Sequence, residues 1–228
     1  MIDLNTLQVE VNSQHGTDKL LSMAGGPCFD MIRNHREKIS ALDGCVVECG
    51  VWRGGMSIFL ARAFEEKDIW VVDSFEGFQD PKTGKYVVSF ERHDHNNKDM
   101  KVSLDVVKAN FALFGLNDDQ RIHFLPGFVK DVLKPDTCSI EKIALLRIDV
   151  DAYSATREVL DYLYPKVVPG GYIIFDDSCL HETGRAIYDF AKESGVEIRL
   201  QDPSTDEVVP QISEGSGYHC CCYCVKDM

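Results

Sequence analysis

Val46-Val47-Glu48-Cys49-Gly50-Val51-Trp52-Arg53-Gly54-Gly55-Met56-Ser57 is the stretch that decides the fold. A β-rich run ends in a carboxylate, Glu48; a glycine follows two residues later, and a Gly-Gly pair opens a helical pattern. Glycine lets backbone approach a ligand closely, with no Cβ in the way. The spacing is not G-x-G-x-x-G, and the loop carries an acid in place of a third glycine. An acid there repels a pyrophosphate and suits an amine-bearing or cationic ligand, which disfavours a dinucleotide.

Outward from this turn, β-rich runs recur at 45–49, 69–75, 121–125, 143–150, 172–176, 196–200 and 218–225. Helical periodicity fills 55–66, 100–114, 154–164 and 183–193 between most of them. Strand, helix, strand repeated in this way requires parallel pairing through right-handed crossovers, so the class is α/β. The last two runs are joined by a helix-free loop containing Pro203 and Pro210 and are most simply antiparallel. Five parallel strands finished by such a pair, with helices on both faces, form the seven-stranded, Rossmann-like sheet of the class I methyltransferase fold.

The expected organisation is one domain over 1–228. Residues 1–43 form an N-terminal helical extension, with a helix around 29–39 and the segment His15-Gly16-Thr17-Asp18-Lys19, which equally describes a lid or a surface turn. Residues 76–99 are polar and turn-rich and follow directly on a strand end, which suits a lid; His93 and His95 lie within it.

Composition excludes several partner classes. Lys and Arg number 24 against 37 Asp and Glu, a net charge of −13, so the basic surface that nucleic-acid binding needs is missing. No apolar run approaches the ~20 residues that span a bilayer, and Met1-Ile2-Asp3-Leu4-Asn5 has no secretory pattern, which leads to a cytoplasmic expectation. The nine cysteines are accordingly expected as reduced thiols, and the run Cys220-Cys221-Cys222-Tyr223-Cys224 as small buried hydrophobes in a strand, since adjacent strand residues point to opposite faces and the C-x-x-C spacing of a zinc site is absent. Oligomeric state, a homo-oligomer included, is left open.

Three further strand ends carry acids. Asp73 ends the second run, where an acid typically grips both ribose hydroxyls, although a cap or a solvated loop would use the same residue. Asp149 and Asp151 end the fourth, and Asp176 and Asp177 the fifth. In a parallel sheet these ends are neighbours, so four carboxylates converge and repel one another unless a cation sits among them. An all-oxygen set favours Mg²⁺, Ca²⁺ or Mn²⁺. Arg147, inside a β-run, is expected to pair with Glu48 or another carboxylate, because an unpaired buried cation is costly.

Five ordered motifs, 47–55, 72–78, 124–131, 146–153 and 175–177, resemble the macrocin O-methyltransferase family, whose members are Mg²⁺-dependent, S-adenosylmethionine-using enzymes that methylate sugar hydroxyls. The resemblance implies that Glu48 and Gly50 contact the methionine part of the cofactor, that Asp73 holds its ribose, and that Ser74 with Gly127 and Phe128 lie beside adenine. It further implies Asp149, Asp176 and Asp177 as metal ligands, Asp151 as general base, and a small-molecule or glycan sugar as acceptor. Val150 stands where the family usually has Gly, and Ser178 where it has an aromatic. His181 is a second candidate base. Catechol-type methylation of an aromatic diol is the neighbouring alternative. A nicotinamide oxidoreductase lacks its third glycine and a Tyr-x-x-x-Lys pair, and a nucleoside-binding module leaves the aspartates without a purpose.

Overall fold

The computed structural model describes residues 3–12, 20–78, 97–209 and 221–227. The elements run α1 (Leu4–Asn12), α2 (Gly26–Ala41), β1 (Cys45–Cys49), α3 (Gly55–Ala63), β2 (Ile69–Asp73), α4 (Asn97–Met100), α5 (Leu104–Leu113) and β3 (Ile122–Pro126). They continue with α6 (Val129–Val132), β4 (Ile143–Ile148), α7 (Tyr153–Leu163), β5 (Val167–Asp176), α8 (His181–Ser194) and β6 (Cys221–Val225).

β4 is buried at every position and β1 at four of its five, which is why they read as unbroken apolar runs and not as alternating ones. The sheet order is β3-β2-β1-β4-β5-β6. β1 pairs in parallel with both β2 and β4, and β6 runs antiparallel to β5. The chain therefore winds one way from β1 to β3 and the other way from β4 onward. The switch point lies between β1 and β4, where their C-terminal ends open a crevice.

Each face of the sheet carries its own apolar layer. Leu7, Phe29, Ile32, Ile58, Phe59 and Phe111 pack one side, with Phe29 edge-on to Phe59 at 4.8 Å. Val159, Leu160, Leu163, Ile187 and Phe190 from α7 and α8 pack the other. Burying such a side chain is worth roughly 1.5–3 kcal/mol, so these two layers hold the strand ends in place.

Two sequence expectations are corrected. The sheet has six strands among the described residues, because 196–200 forms no ladder: Gln201 alone bridges Tyr223 and Val208. Ile198 and Leu200 are buried, so the segment has strand-like composition because it packs, and not because it pairs. The thiol expectation is overturned at one pair. Cys28 of α2 and Cys221 of β6 form a disulfide, their Cα atoms 6.3 Å apart across 193 residues of sequence. Cys222 and Cys224 do behave as small buried residues.

The expected 29–39 helix is α2, and α1 is an additional helix in the N-terminal extension. Most of the proposed lid (79–96, with His93 and His95) and the segment 15–19 lie outside the described residues. No described helix is long and apolar enough to cross a membrane.

Candidate active site

A cavity of about 360 Å³ opens at the switch point, walled by Ser22–Ala24, Glu48, Gly50, Trp52, Asp73, Ser74, Phe128, Arg147, Asp149, Asp151, Asp176 and Asp177. Every acid singled out in the sequence faces this one crevice. Gly127 does not line it: its backbone φ is +143°, and a Cβ there would meet Val132 at 2.4 Å. His181 is outside the wall too, while Leu180 is in it.

Asp73 organises the first βα turn. Its Oδ2 accepts from the backbone N–H of Val51 at 2.7 Å and of Trp52 at 3.3 Å, and its Oδ1 from the N–H of Phe75 at 2.7 Å. Burial raises its pKa against the pull of these donors. The Ser74 hydroxyl donates to Gly77 O at 2.9 Å, so it too is spent partly on shaping a turn. Gly50 is required by the chain itself as well as by any ligand, since a Cβ at its φ of +83° would fall 1.7 Å from Asp149 O.

Glu48 is fully enclosed. One oxygen accepts from Arg147 Nη1 and the other from the Ser57 hydroxyl on α3. Burial pushes its carboxyl up, opposed by Arg147 and then Ser57. Arg147 also reaches Asp149 Oδ2 at 2.8 Å through Nη1 and Asp176 Oδ2 through Nη2, so the expected pairing extends to three acids. Asp176 Oδ1 takes the Asp177 N–H at 3.1 Å.

Beyond Arg147 the carboxylates stay crowded. One oxygen each from Asp149, Asp151 and Asp177 lies within 4.8 Å of the others. Burial, with repulsion from neighbouring aspartates, holds the Asp149 and Asp151 carboxyls well above the usual range. Oxygens around an ion at roughly 2.0–2.6 Å are at most about 5 Å apart, so this hard, acid-only donor set fits a divalent cation. Asp176, expected as a ligand, is engaged by Arg147, whereas Asp151, expected as the base, falls inside the close cluster.

Trp52, Phe75, Asp151 and Asp177 all adopt left-handed φ, between +48° and +55°. Such residues cost about 1–3 kcal/mol each and gather where packing over-determines them. Nothing in the sequence marks the two aromatics, whereas Asp is a residue type that tolerates the region.

The sequence profile of Macrocin-O-methyltransferase (TylF) matches residues 11–208. The chain belongs to this family. Within the macrocin O-methyltransferase family, it is 39% identical over 161 residues to the mycinamicin III 3''-O-methyltransferase of Micromonospora griseorubida, covering 67% of this chain and 62% of that protein. It is 38% identical over 160 residues to an 8-demethyl-8-(2,3-dimethoxy-alpha-L-rhamnosyl)-tetracenomycin-C 4'-O-methyltransferase of Streptomyces olivaceus, covering 67% of this chain and 60% of that one. The matches thus span about three-fifths of these relatives' length. Among solved structures, the O-methyltransferase NovP superposes with a TM-score of 0.73 at 28% identity, covering 97% of this chain and 88% of that one.

Proposed function

We propose that this macrocin O-methyltransferase family member transfers a methyl group from S-adenosylmethionine to a sugar hydroxyl of a glycosylated small molecule, assisted by Mg²⁺. The observation that carries the reading is the single crevice that holds a glycine turn organised by Asp73 beside an acid-only cluster. When bound, the sulfonium cofactor supplies the methyl group, and the cation lowers the pKa of the acceptor hydroxyl.

The chain's residues do the rest. Asp73 fixes the turn that faces the methionine and ribose, and Glu48, held between Arg147 and Ser57, presents a negative wall to the cofactor's amine end. Phe128 gives the adenine an apolar surface beside Ser74, and Gly50 lines the cavity at the methionine part of the cofactor. Asp149 and Asp177 hold the cation, with Asp176 as third ligand, and Asp151 accepts the hydroxyl proton on a carboxylate oxygen. Burial and repulsion from Asp149 raise the pKa of Asp151, which makes it a stronger base than an ordinary carboxylate. A second reading, favoured by the close cluster, exchanges Asp151 and Asp176: Asp151 holds the cation and Asp176 stays with Arg147.

Calorimetric titration with S-adenosylmethionine and with NADH, each with and without Mg²⁺, tests the cofactor class. Binding of the former alone is expected. Binding of NADH alone would reassign the crevice to a nicotinamide.

A further inference from the structure

Arg147 is among the largest fully buried side chains, 1% exposed in the middle of the sheet. Its Nη1 serves both Glu48 and Asp149, its Nη2 serves Asp176, and its Nε has no partner among the described residues. The guanidinium is a rigid plane, so its terminal nitrogens cannot move independently. A shift toward one carboxylate alters the grip on the next.

We infer that Arg147 is a positioning residue that links the cofactor side of the crevice to its carboxylate cluster, so that filling either side tightens the other. This rests on the function proposed above. A cation at Asp149 draws charge away from Nη1, which leaves that nitrogen to hold Glu48 more firmly in the orientation that meets the cofactor. Ser57 is the other anchor of Glu48 and works against the link, because it fixes the same carboxylate independently of Arg147. Mere charge balance inside the sheet would require a cation at this place but no such dependence.

Isothermal titration of the whole protein with S-adenosylhomocysteine, with and without saturating Mg²⁺, reads the link directly. Mg²⁺ should tighten binding by about 5-fold or more, the lower bound of usual coupling between sites. Arg147→Lys keeps the charge and loses the fork, so the ratio should fall close to one although both ligands still bind. Ser57→Ala should raise the ratio above that of the native protein, because Glu48 then depends on Arg147 alone. A native ratio of one, or equal ratios in the native protein and Arg147→Lys, would overturn the inference. If Arg147→Lys shows no cooperative thermal melt, Ser57→Ala decides, and a ratio unchanged from native contradicts the link. Failure of the native protein to bind either ligand would instead refute the proposed function.

Discussion

Arg147 Nη1 stands 2.8 Å from Asp149 Oδ2 while the same nitrogen donates to Glu48. One guanidinium is thus the fixed countercharge of a crevice that also holds Asp151, Asp176 and Asp177. Six acids of the wall, Glu48, Asp73, Asp149, Asp151, Asp176 and Asp177, stand against this one buried cation and leave a surplus of negative charge. Burial raises the carboxyls of Glu48, Asp149, Asp151 and Asp176 in response.

That surplus makes cation binding pH-dependent. The raised carboxyl of Asp149, a ligand in either reading, retains its proton above the ordinary carboxylate range, and an incoming ion must displace it. Mg²⁺ affinity should therefore increase as pH rises and level off once Asp149 has ionised. Calorimetry in buffers of different ionisation enthalpy should show proton release on binding. An affinity independent of pH would contradict the shifts.

Asp73→Asn tests the turn. The amide would turn a donor toward backbone N–H groups of Val51 or Phe75 that now find an acceptor. Loss of about 1–3 kcal/mol of stability is expected without any ligand, together with weaker S-adenosylhomocysteine binding. A melting temperature unchanged from native would mean that the carboxylate serves the cofactor alone.

The roles of Asp151 and Asp176 separate by substitution. If Asp151 is the base, Asp151→Asn should leave Mg²⁺ affinity near native and slow single-turnover methylation by roughly 10²–10⁴-fold. Asp176→Asn should weaken Mg²⁺ binding. The reverse pattern, with the Mg²⁺ loss in Asp151→Asn, would establish the close Asp149–Asp151–Asp177 cluster as the ligand set.

Much of this was legible in the sequence. β1 appears with the bounds its apolar run predicts, and β2 and β4 stop two residues short of theirs. β2 ends at Asp73 because that side chain caps Phe75, which turns to a φ of +55°. The convergence of the acids followed from parallel pairing alone. Segment 196–200 misled because burial against a helix and pairing in a sheet select the same apolar residues, and only Gln201 reaches the β6 edge. The Cys28–Cys221 bridge was invisible, since 193 residues separate its ends and only the packing of α2 brings them together.

That bridge ties α2, and the Ser22–Ala24 wall just before it, to the strand beside Asp176. Cys28→Ser, or full reduction, should lower stability by roughly 2–5 kcal/mol, measured by chemical denaturation. Mass spectrometry of the purified protein after thiol alkylation should find Cys28 and Cys221 unmodified. Labelling of both without loss of stability would remove the disulfide from the account.

Metal-assisted methyl transfer in this crevice is tested most directly by product analysis. The protein is incubated with methyl-labelled S-adenosylmethionine and a panel of sugar-bearing natural products, with Mg²⁺ or with EDTA, and products are analysed by mass spectrometry. A labelled methyl group on a sugar oxygen is expected with Mg²⁺, and its disappearance with EDTA, while S-adenosylhomocysteine still binds. Full transfer after exhaustive chelation, or label on an aromatic hydroxyl and on no sugar, would contradict it.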